Sequence, residues 1–66
     1  MGDENQRALK EGREAAEDLA EALALAGVQL PSLVGTWPVL GSPLVHLGGC
    51  TARTARELAE WIREHA

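Results

Sequence analysis

From Ala22 to Ala52 the chain runs 31 residues without a single Asp, Glu, Lys or Arg, and three prolines and five glycines interrupt that span. A transmembrane helix needs about 20 apolar residues in helical form, and Pro31, Pro38 and Pro43 deny it that form. Proline lacks the N–H that a helix interior or a central strand requires. The span is therefore restricted to loops, edge strands and turns. The segments on either side are charged and periodic, so the chain divides into helix, uncharged middle and helix.

The first segment predicts a long helix over about residues 3–26. Asp3 is placed to cap it, with Gln6 three residues on as its capping-box partner. The i,i+4 succession Asp3, Arg7, Glu11 supports the exposed side. Leu9, Ala16 and Leu23 recur at seven residues, with Leu19 and Ala26 offset by three, giving a narrow apolar stripe that also holds Gly12. Gly27 suits the left-handed position past the helix end. Val28 should then touch Leu23, and Pro31 keeps the helix from resuming.

The middle, over about residues 28–48, reads as loop with one or two short strands. Leu44 to Leu47 is its best strand candidate, and Pro38 confines a neighbouring strand to an edge. A two-residue hairpin turn at Gly41-Ser42 would ask Pro43 for an N–H it lacks. A longer loop pairing Val39 with Leu44 avoids that conflict. From about residue 51 to 65 a second helix follows, capped by Thr51 or, alternatively, by Thr54 with Glu57. Ala55, Leu58, Trp61, Ile62 and His65 share one of its faces. The fold class is a small α+β single domain spanning residues 1–66.

A 66-residue chain buries only about 60% of its unfolded surface. One cysteine cannot form an internal disulfide, so oligomerisation is the remaining source of core. The stripe of the first helix, Leu9, Gly12, Ala16, Leu19 and Leu23, is the expected seam. Its small residues would let a second copy of the helix approach, and the other 40 residues look too few to cover it. The expected state is a homo-oligomer, most simply a dimer.

Candidate chemistry is sparse. Cys50 stands just before a helix N-terminus with Arg53 and Arg56 near, which favours a thiolate. A nucleophile also needs a base within hydrogen-bond reach, and His46 lies four residues back along a strand, about 13 Å away at 3.3 Å per residue. Packing is the preferred role for Cys50, and reactive thiol chemistry the lesser one. The Gly48-Gly49-Cys50-Thr51 junction matches no phosphate-loop pattern. His46, Cys50 and His65 fall short of the four ligands of a structural zinc site, so neither metal nor cofactor is expected. Glu11, Glu14, Asp18 and Glu21 line one face of the first helix, which is read as solvated or as a docking face for a basic partner.

The formal net charge of −4 speaks against an electrostatic nucleic-acid binder. No basic segment leading into an apolar run opens the chain, so the sequence is read as cytoplasmic, and the three prolines of the uncharged span speak against membrane association. Abundant Ala, Gly and Arg beside single Lys, Ile and Asn residues suit a GC-rich bacterial genome. The reading is a non-enzymatic protein-interaction module, an adaptor or regulator that binds itself and another protein. Trp37, Val39 and Leu40 are the candidate anchors, tryptophan being enriched at interface hot spots; alternatively Trp37 closes the core against the first helix. A small DNA-associated regulator, using Arg53, Arg56 and Arg63, is the second hypothesis, and a thiol-dependent protein using Cys50 the third.

Overall fold

The computed structural model describes residues 2–66, and their order is helix, two strands, helix. Helix α1 (Gly2–Leu25) is followed by strand β1 (Val34–Val39), strand β2 (Ser42–His46) and helix α2 (Ala52–His65). The small α+β domain expected from the sequence is what forms.

Helix α1 begins at Gly2, so Asp3 lies in its first turn beside Glu4 and is not its cap. Both carboxylates still face the positive end of the helix dipole. The other end closes as the sequence dictates. Gly27 takes φ +71, its N–H donates to the Ala24 carbonyl at 3.0 Å, and the Val28 N–H donates to the Leu23 carbonyl at 2.9 Å. This is the Schellman motif. It folds Val28 back onto Leu23, and both are buried.

The two strands form an antiparallel hairpin with Val34 opposite His46, Gly35 opposite Val45, Thr36 opposite Leu44 and Val39 opposite Ser42. The turn is the two residues Leu40-Gly41 in place of the longer loop expected, and Val39 pairs with Ser42 instead of Leu44. Left-handed φ values of +52 at Leu40 and +78 at Gly41 identify a type I′ turn. The register shifts between Thr36 and Val39, which sets Trp37 and Pro38 against Pro43. Both strand prolines thus share the one irregularity of the ladder, where missing donors cost least.

The hairpin lies across α1. A Cβ on Gly35 would stand 2.5 Å from the Arg13 nitrogen, and one on Gly12 would stand 2.7 Å from the Leu44 carbonyl oxygen. The two glycines therefore let strand and helix backbones touch. Ala8, Gly12, Ala16 and Leu23 are buried along the stripe, and Pro38 is buried from the hairpin side. The small residues expected to admit a second helix accept the chain's own hairpin. The hairpin alone covers most of the stripe, because a flat ribbon at backbone contact needs little bulk. Leu9 is left half-buried and Leu19 36% exposed.

Helix α2 starts after Thr51, whose hydroxyl accepts the Thr54 N–H at 3.1 Å. It makes no contact with α1, β1 or β2, and none of its residues is buried. The molecule is consequently elongated, 44 × 20 × 15 Å.

Candidate interaction surfaces

Three surfaces remain uncovered, and each follows from a local choice of sequence. The first is the hairpin tip. Trp37 is 67% exposed, Val39 57% and Leu40 fully exposed. Trp37 therefore does not close the core; the bulge at Trp37-Pro38 turns proline inward and leaves the indole out. The type I′ turn favours Asn, Asp or Gly because both central residues need φ > 0. Leu40 holds that conformation with a γ-branched side chain in full contact with water. Neither steric fit nor hydration recommends leucine here.

The second surface is the apolar face of α2. Leu58, Ala59 and Trp61 are half-buried although α2 packs on no other element, and Ile62 is exposed. Trp61 stacks on His65 at a ring-centroid distance of 4.0 Å, and His65 Nδ1 lies 2.7 Å from the Trp61 carbonyl oxygen. A carbonyl only accepts, so Nδ1 carries a proton and donates it to that bond. The Trp61 ring is held in place on an otherwise bare helix. Arg53 pairs with Glu57 at 3.1 Å, the one ion pair among the described residues.

The third is an open groove along the β1 side of α1. Its floor is a row of alanines, Ala16, Ala20 and Ala24, at successive i,i+4 positions, with Leu33 opposite them. At the end of α1 it deepens to about 470 Å3 between Leu23, Val28 and Leu30. Sequence reasoning missed this groove. The alanine period of four was visible, but the wall facing it comes from the Leu30–Val34 segment, whose path the sequence alone does not fix.

Cys50 is exposed, not packed. It borders a shallow groove with Gln29, Pro31, Gly49, Thr51 and Thr54, none of which is a base for a thiol. His46 and His65 are exposed, and no three His, Cys, Asp or Glu residues cluster as metal ligands among the described residues. Glu11, Glu14, Asp18 and Glu21 are all exposed on α1. No described helix is long and apolar enough to cross a membrane. Searches among protein-family models, curated proteins and solved structures found no match to this chain.

Proposed function

We propose that the chain is a non-enzymatic protein-interaction module, an adaptor or regulator that acts as a homo-oligomer and grips a second protein with its hairpin tip. The observation that carries the reading is Leu40, fully exposed and left-handed at the apex of a tip that also exposes Trp37 and Val39. Isolated exposed leucines are ordinary. A leucine kept in a conformation it disfavours, beside an exposed tryptophan, has the character of a binding anchor. Steric cost in the free protein is then offset on binding, where the apolar tip leaves water.

The DNA-regulator reading has less support. Helix α2 carries three arginines and three glutamates, and Arg53 is engaged with Glu57. A thiol-dependent role lacks a neighbouring base for Cys50. The test is site-specific photo-crosslinking from position 40 in cells. A discrete protein adduct should form, and excess parent chain should compete it away while excess Trp37→Ala should not. Equal competition by both chains would overturn the assignment of the tip.

A further inference from the structure

We infer that two copies of this chain exchange their C-terminal helices, α2 of each lying in the α1 groove of the other. The inference rests on the homo-oligomer half of the proposed function and is independent of the hairpin tip. Area supplies the first argument. The chain exposes 5304 Å2, whereas a compact monomer of 7.0 kDa exposes about 4,000 Å2. The excess of about 1,300 Å2 exceeds the roughly 800 Å2 per partner that a stable protein interface buries.

Helix α2 contributes to that excess because it packs on no other element. Fourteen residues of isolated helix are marginal in water, and this one has Leu58, Trp61 and Ile62 aligned on a face that touches no other element. The groove matches it in length and bulk. From Arg13 to Gly27 it runs about 21 Å, the length of a 14-residue helix at 1.5 Å per residue. Its alanine floor lets a helix bearing tryptophan approach closely.

The occupant is a second copy because the chain's own helix is aimed elsewhere. Gly48 holds φ +75 with its backbone wedged against the Ser32 side chain. The connection to α2 thus leaves the hairpin in one direction, and α2 does not turn back onto α1. Two copies related by a two-fold axis fill both grooves and leave no helix unpaired.

Sedimentation equilibrium of the full chain tests this. The parent should sediment at twice 7.0 kDa. The surface variant Ala20→Glu, which puts a charge on the exposed floor of the groove, should dimerise about ten-fold or more weakly. Ile62→Glu, in the middle of the apolar face, should give a monomer. A parent that stays monomeric overturns both the exchange and the homo-oligomer; blue-shifted Trp61 emission in a Trp37→Phe monomer would assign the groove to the chain's own helix. A dimer unmoved by Ile62→Glu and by Ala20→Glu overturns the exchange alone.

Discussion

Leu40 holds its left-handed conformation with no side-chain packing to favour it, so its replacement separates folding from binding. Leu40→Asn should stabilise the free protein by about 1 kcal/mol, the order of the steric penalty that a branched residue bears at φ > 0. The same change should weaken crosslinking from the hairpin tip. Urea denaturation checks the first part, and an unchanged or lowered midpoint would refute it. Trp37→Ala should shift stability by less than about 0.5 kcal/mol, as for other surface substitutions, not by the several kcal/mol of a lost core tryptophan. Cys50→Ser should be equally silent, since the thiol is exposed. At this scale the sequence left most undecided. Exposure of Trp37 and Cys50 depends on a bulge and a glycine-led exit, and composition encodes neither.

At the scale of elements, local signals were legible and the pairing between elements was not. Gly27, Val28 and Thr51 announce their caps because capping is settled within five or six residues. The α1 stripe was equally visible, but glycine and alanine admit a strand as readily as a helix, and its occupant is the hairpin. The tight Leu40-Gly41 turn was missed in favour of a longer loop because Leu-Gly is a poor type I′ signal beside Asn-Gly. Two glycines test this architecture in opposite ways. Gly27→Ala meets no atom within 4 Å and bears only the strain of φ +71, so it should cost about 1 kcal/mol. Gly12→Ala gains about 1 kcal/mol of helix propensity, yet its Cβ would crowd the Leu44 carbonyl. Forcing strand and helix apart should outweigh that gain, for a net loss of about 1–3 kcal/mol. A Gly12→Ala chain that melts higher than the parent would mean that the hairpin does not rest on α1.

The whole molecule is open for a chain of its length. Its radius of gyration is 13.8 Å, against about 11 Å for a compact chain of 66 residues. Its buried apolar side chains are Ala8, Ala16, Leu23 and Val28 among non-proline residues, which is little to set against the entropy of ordering so long a chain. If association supplies the missing burial, stability must depend on concentration, because unfolding then releases two chains from each dimer. A hundred-fold increase in protein concentration raises the dimer's unfolding free energy by RT ln 100, about 2.7 kcal/mol. At about 2.1 cal/mol/K per residue the unfolding entropy of two such chains is about 0.28 kcal/mol/K, so Tm should rise by about 10 °C. Thermal melts followed by circular dichroism across that range provide the measurement. A Tm independent of concentration would point to a folded monomer, and the uncovered apolar faces would then await a different protein.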